Sequence, residues 1–120
     1  MMYYFDTYAF IEIIKGNPAY SKFIKTDLVT TKLNLMEVYY WLLNNFGRQT
    51  ADTFYDETVE YAAEIQDGII KEAMVFRMQN KSKNLSYVDC IGYILSKANG
   101  LKFLTGDRQF KGIDNVEFVL

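Results

Sequence analysis

The chain has 120 residues, half of them hydrophobic and 23% charged, with a net charge of −2. That is enough for one domain, 1–120, with one buried core, and too apolar for a disordered segment. The absence of histidine excludes imidazole catalysis, and the single cysteine, Cys90, excludes both an internal disulfide and a Cys-rich zinc site. No apolar run is long enough to span a bilayer, and MMYYFDTYAF does not read as a signal peptide, so a cytoplasmic protein is expected.

In chain order, the aromatic run Met2–Phe5 suits a short strand ending at Asp6. Residues 7–15 form a short helix stopped by Gly16, Asn17 and Pro18, and a second helix is expected over 19–25. A strand follows over 28–31. Asn34 and Glu37 carry the spacing of a capping box, which starts a helix running to Phe46 and ending at Gly47. Two more helices are expected over 49–64 and 66–80, then a polar loop over 80–84. Ser86 and Asp89 form a second capping box, opening a helix through Lys97 that closes at Gly100. Strands over 102–105 and 116–120 flank a loop over 106–112.

Short apolar strands separated by helices predict an α/β fold: a short, mainly parallel sheet with helices on both faces. Such sheets bind ligands beyond the carboxyl ends of their strands. Asp6 and Asp107 fall there, and Glu37 and Asp89 sit in the first turns of helices that would follow strand ends. Taken singly, each acid has a structural reading: Glu37 and Asp89 as capping residues, Asp6 as a cap, Asp107 as a turn residue. Their joint placement favours one pocket of four carboxylates. With no His available, these hard oxygen donors suit Mg²⁺ or Mn²⁺. Carboxylates so close repel one another, so at least one should have a raised pKa when no metal is bound.

The runs YYFDTYAFIEII, TTKLNLMEVYY and LSYVDCIGYILSKANGLKFLTGDRQF together resemble a PIN domain. More narrowly, they are similar to the VapC-type ribonuclease toxins of prokaryotic toxin–antitoxin pairs. The resemblance covers almost the whole chain, and its most specific part is the helix bearing an acid, followed by Gly and an apolar strand into Thr-Gly-Asp-Arg-Gln-Phe. It implies a PIN-like three-layer sandwich and a catalytic, metal-binding set of Asp6, Glu37, Asp89 and Asp107. Thr7, Ser86 and Thr105 stand where the family often has hydroxyls that orient the acids. The implied activity is metal-dependent endonuclease cleavage of RNA, leaving a 5′-phosphate and a 3′-hydroxyl. An antitoxin partner and a homodimer are implied with it.

Mg²⁺ takes few carboxylates directly, so Asp6 and one of Asp89 or Asp107 are the expected ligands; Glu37 and the remaining acid act through water. Lys81 and Lys83 precede the Asp89 helix, and Arg108 and Lys111 follow Asp107, all placed to reach a phosphate backbone or else simply solvated. Single-stranded or looped RNA is the expected substrate, its splayed bases stacking on aromatics. Tyr39, Tyr40 and Trp41 are consecutive in one helix and cannot share a face, so some should be exposed or meet a partner. Two related pockets fit poorly. A phosphoacceptor receiver domain needs a late Lys-Pro, and the sole proline here is Pro18. A haloacid-dehalogenase-like phosphatase needs a second Asp two residues after the first, where Tyr8 stands. The non-enzymatic alternative is a protein-binding module of the same fold, its acids serving only as caps.

Overall fold

Alternation along β1 (Met2–Phe5) sets the architecture: Tyr3 and Phe5 point to one face of the sheet and Tyr4 to the other. The computed structural model describes residues 2–120. After β1 come α1 (Thr7–Ile14), a 3-10 helix (Pro18–Phe23), β2 (Asp27–Val29), α2 (Lys32–Phe46) and α3 (Arg48–Thr58). The second half holds α4 (Asp67–Gln79), α5 (Tyr87–Ala98), β3 (Lys102–Thr105), a 3-10 turn (Arg108–Phe110) and β4 (Val116–Phe118). The sheet has the order β2-β1-β3-β4, with every pairing parallel.

Each face carries its own core. On one, Tyr3, Phe5 and Leu104 pack under Ala9 and Phe10 of α1, Phe23, and Leu35, Val38 and Leu42 of α2. On the other, Tyr4 and Phe103 pack under Ala73 of α4 and Cys90, Ile91, Tyr93 and Leu95 of α5. The result is the expected helix–sheet–helix sandwich, and burial on both faces matches the apolar runs of the two central strands, Tyr3–Phe5 and Phe103–Leu104. Phe103 is central: it stacks on Tyr4 and meets Tyr93 edge-on, with Phe110 at 4.8 Å between ring centroids.

Several local expectations are corrected. The helix expected over 19–25 is a 3-10 helix, Pro18–Phe23, started by proline and capped by the Asn17 side chain, which accepts from the Ala19 N–H at 3.0 Å. The second strand ends at Val29, earlier than expected, because the Thr30 backbone bridges to Ala62, and Thr30 holds β1 only through its hydroxyl, which donates to the Phe5 carbonyl at 2.9 Å. Thr31, not Asn34, caps α2, so the helix starts at Lys32 and Asn34 lies inside it, 2% exposed. Glu37 is therefore no capping residue. The helix expected over 49–64 ends at Thr58, followed by a 3-10 turn, Val59–Tyr61. The last strand is also shorter, Val116–Phe118. The second capping box is present as expected: the Ser86 side chain accepts from the Asp89 N–H, and Asp89 accepts from the Ser86 N–H.

Candidate active site

Strand β1 connects to β2 on one side, while β3 lies on its other side and leads to β4, so the strand order reverses between β1 and β3. At such a switch point the loops leaving neighbouring strands diverge and open a crevice at the carboxyl edge of the sheet. Asp6 follows β1 directly, and Asp107 lies two residues past the end of β3. Asp89 stands in the first turn of α5, and Glu37 in the second turn of α2.

Each of the four carboxylates is tied by a hydrogen bond, local in sequence for all but Glu37. Asp6 caps α1, its Oδ1 accepting from the Ala9 N–H at 2.7 Å. Glu37 Oε1 accepts from the Thr7 hydroxyl at 2.5 Å. Asp89 Oδ2 accepts from the Ser86 N–H at 2.9 Å, and Asp107 Oδ1 from the Gln109 N–H at 3.0 Å. The structural readings of Asp6, Asp89 and Asp107 are thus all realised, and none of them conflicts with a second role. Thr105 Oγ1 accepts from the Asp107 N–H at 3.1 Å, fixing the turn that carries this acid.

The electrostatics single out Asp6. It is 3% exposed, and burial pushes its carboxyl up to about 8. The Thr105 hydroxyl and the Ala9 N–H oppose the rise, and the charges of Asp89 and Asp107 add to it. Glu37 and Asp89 are also raised, again chiefly by desolvation; Asp89 adds to the rise at Glu37, and Asp107 to that at Asp89. Mutual repulsion was expected to be the cause of a raised pKa. It contributes, but burial is the larger effect.

The charges of Asp89 and Asp107 thus reach Asp6, and that of Asp89 reaches Glu37, yet among the described residues no three His, Cys, Asp or Glu side chains are arranged so that they could hold a metal ion as they stand. The donor chemistry itself fits a hard divalent cation: the acids offer only oxygen, and hydroxyls of Thr7, Ser86 and Thr105 stand beside them. A cation would also relieve the cost of the buried Asp6 charge. A cleft of about 810 Å³ lies between α4, α5 and the 112–114 loop and contains none of these acids.

The basic residues singled out in the sequence sit on two adjoining loops, linked by the Asn84 N–H donating to Gln109 Oε1 at 3.1 Å. Lys81, Arg108 and Lys111 are exposed and Lys83 is half-buried; among the described residues none of the four forms an ion pair. Arg77 of α4 was not anticipated: its guanidinium lies 4.5 Å from the ring centroid of exposed Tyr87, two residues before Asp89. Only the packing of α4 on α5 brings them together, so no local pattern could reveal the pair. Of the three consecutive aromatics, Tyr40 is 68% exposed, whereas Tyr39 packs on Tyr55 and Trp41 on Phe46.

A family model described as PIN domain matches residues 3–116. No curated protein matches the sequence. Among solved structures, a toxin–antitoxin complex from Klebsiella pneumoniae is similar with a TM-score of 0.78 at 19% identity, over 96% of this chain and 95% of that one. Mycobacterium tuberculosis VapC20, described as a sarcin-ricin loop cleaving toxin, gives 0.75 at 12% identity, over 97% and 98% of the two chains. Rickettsia felis VapBC2, bound to a DNA fragment from its promoter, gives 0.72 at 15% identity, over 98% and 97%. At these identities the likeness is one of fold.

Proposed function

The chain belongs to the PIN domain family, and from that membership we propose that it is a metal-dependent endoribonuclease, the toxin of a type II toxin–antitoxin pair. The observation that carries the reading is the buried Asp6 at the switch point of the sheet, within the electrostatic reach of Asp89 and Asp107. A pure helix cap needs no such burial. Caps are ordinarily solvated, and a buried carboxylate without a counter-charge is costly.

In this reading Asp6 and one of Asp89 or Asp107 would hold Mg²⁺ or Mn²⁺, with Glu37 and the remaining acid acting through water. The bound ion would supply Lewis-acid stabilisation of the phosphoryl oxygens and of the leaving oxygen. The protein's own part is geometric. The α1 N-terminus and Thr105 hold Asp6, Thr7 orients Glu37, and Ser86 orients Asp89. Glu37, its carboxyl raised chiefly by burial and held by the Thr7 hydroxyl, would orient the attacking water. The products would be a 5′-phosphate and a 3′-hydroxyl.

The substrate would be single-stranded or looped RNA, its backbone following the adjoining loops with Lys81, Lys83, Arg108 and Lys111. The solved structures of similar fold include toxin–antitoxin complexes, which supports an antitoxin as partner. The exposed Met36, Tyr40, Leu43 and Phe46 of α2 offer apolar area for it or for a second copy in a homodimer. Among the described residues no helix is long and apolar enough to cross a membrane.

The test is cleavage of a mixed RNA pool by purified protein with Mg²⁺ or Mn²⁺, with EDTA, and with Asp6→Asn beside the wild type. Loss of cleavage in EDTA and in the variant is expected. Cleavage that survives both, or products ending in a 2′,3′-cyclic phosphate, would contradict the reading. A folded wild type with neither cleavage nor metal binding would favour a protein-binding module whose acids are caps.

A further inference from the structure

Asn34 was expected to cap a helix; the structure instead buries it at the third position of α2, with both ends of its carboxamide engaged. Its Oδ1 accepts from the Tyr4 hydroxyl in a short contact and from the Thr31 hydroxyl at 3.0 Å. Its Nδ2 donates to Thr7 Oγ1 at 3.1 Å, and the Thr7 hydroxyl in turn donates to Glu37 Oε1 at 2.5 Å. A hydroxyl has one proton. With the amide donating into the Thr7 oxygen, that proton is directed away from Asn34 and towards the carboxylate.

The far end of this chain is rigid. Tyr4 is fully buried between β3 and α5, its ring stacked on Phe103. Gly92 closes over it: a Cβ there would lie 2.8 Å from Tyr4 Cε1 and 2.9 Å from Tyr4 Oη. Three residues from Asp89 on the same helix, the missing side chain leaves the room in which the phenol reaches Asn34. The polar groups are satisfied throughout, as a buried network must be if it is to fix one arrangement.

We propose that Asn34 is a positioning residue for Glu37: anchored by Tyr4 and Thr31, it sets the direction of the Thr7 hydroxyl and so the place of the Glu37 carboxylate. Its kinetic consequence rests on the nuclease reading; the hydrogen-bond chain does not. Asn34 touches no reacting atom. It acts through Thr7, and its removal matters only while Glu37 is a carboxylate.

The experiment is a double-mutant cycle on the full chain, joined to ¹H–¹⁵N NMR of the Asn34 side-chain amide. Asn34→Leu and Thr7→Val should each lower kcat by roughly 10–100-fold, the range for residues that orient a functional group, at nearly unchanged KM. Thr7→Ser should retain activity. In a Glu37→Gln background Asn34→Leu should cost nothing further. Equal losses by Asn34→Leu in both backgrounds would overturn the proposal, because a residue serving only the fold acts additively. Independently of cleavage, Thr7→Val and Tyr4→Phe should shift the Asn34 amide protons and speed their exchange with solvent. Protons unmoved by both variants would overturn it as well. If the wild type cleaves nothing while these protons behave as expected, the nuclease reading fails and the hydrogen-bond chain stands.

Discussion

Asp6 has an acid's usual reason to be at a helix start and an unusual setting in which to be there. Its carboxyl is raised from 3.8 to about 8 by burial, so the folded state binds a proton more tightly than the unfolded one. The sign follows directly. Below about pH 4 both states are protonated, and as pH rises towards 8 the unfolded state gains by ionising first, so stability falls across that window. Glu37 and Asp89, raised in the same direction, add to the slope. In EDTA the wild type should therefore melt at progressively lower temperature as pH is raised through this range, and Asp6→Asn should flatten much of the dependence. A wild-type melting temperature that is level or rising with pH would show that Asp6 is ionised and compensated in the folded protein. That Asp6, Asp89 and Asp107 stand at a strand end, a helix start and a turn was legible from the sequence, whereas Glu37, read as a helix start, lies in the second turn of α2. Which one is buried was not legible, because burial depends on β3, from the far end of the chain, lying against Asp6.

The same contrast recurs among the helices. Ser86 and Asp89 read as a capping box and are one; replacing Ser86 with Ala should cost about 1 kcal/mol of stability, measured by denaturant unfolding, and should loosen Asp89. Asn34 and Glu37 carry the same spacing but belong to a different structure. Thr31 ends the preceding extended segment and takes the cap, leaving Asn34 to be buried against Tyr4, a partner thirty residues away. Local spacing cannot distinguish these cases, because the choice of cap is made by where the strand stops. Gly106 shows a further long-range constraint. A Cβ there would lie 2.4 Å from the Val119 carbonyl oxygen and 2.3 Å from the Tyr8 ring, so the turn into Asp107 passes with no room to spare. Gly106→Ala should destabilise the fold by about 1–3 kcal/mol, the range for overpacking, and should reduce cleavage beyond what lost stability explains. Activity per folded molecule equal to the wild type would argue that the turn does not set Asp107.

At the scale of the whole molecule, layer order and parallel pairing follow from the alternation of short apolar strands with helices, and these were readable in advance. The pairing of the basic loops through Asn84 and Gln109 was not, since twenty-five residues separate them in sequence. A chain of net charge −2 must bind a polyanion locally if it binds one at all, and these loops are the local source. Replacing Lys81 and Lys83, or Arg108 and Lys111, by Ala should raise KM more than it lowers kcat. Each lost phosphate contact should reduce the salt slope of binding by about 0.7, the single-strand value. An unchanged slope would mean that the loops are merely solvated. The claim on which the rest depends is that the carboxylates at the carboxyl edge of the sheet hold a divalent cation. Crystals grown with Mn²⁺ and measured at the manganese absorption edge test it most directly. An anomalous peak bounded by Asp6 and one or both of Asp89 and Asp107, absent in Asp6→Asn, is the expected result. A peak elsewhere, or none with all four acids ordered, would contradict it.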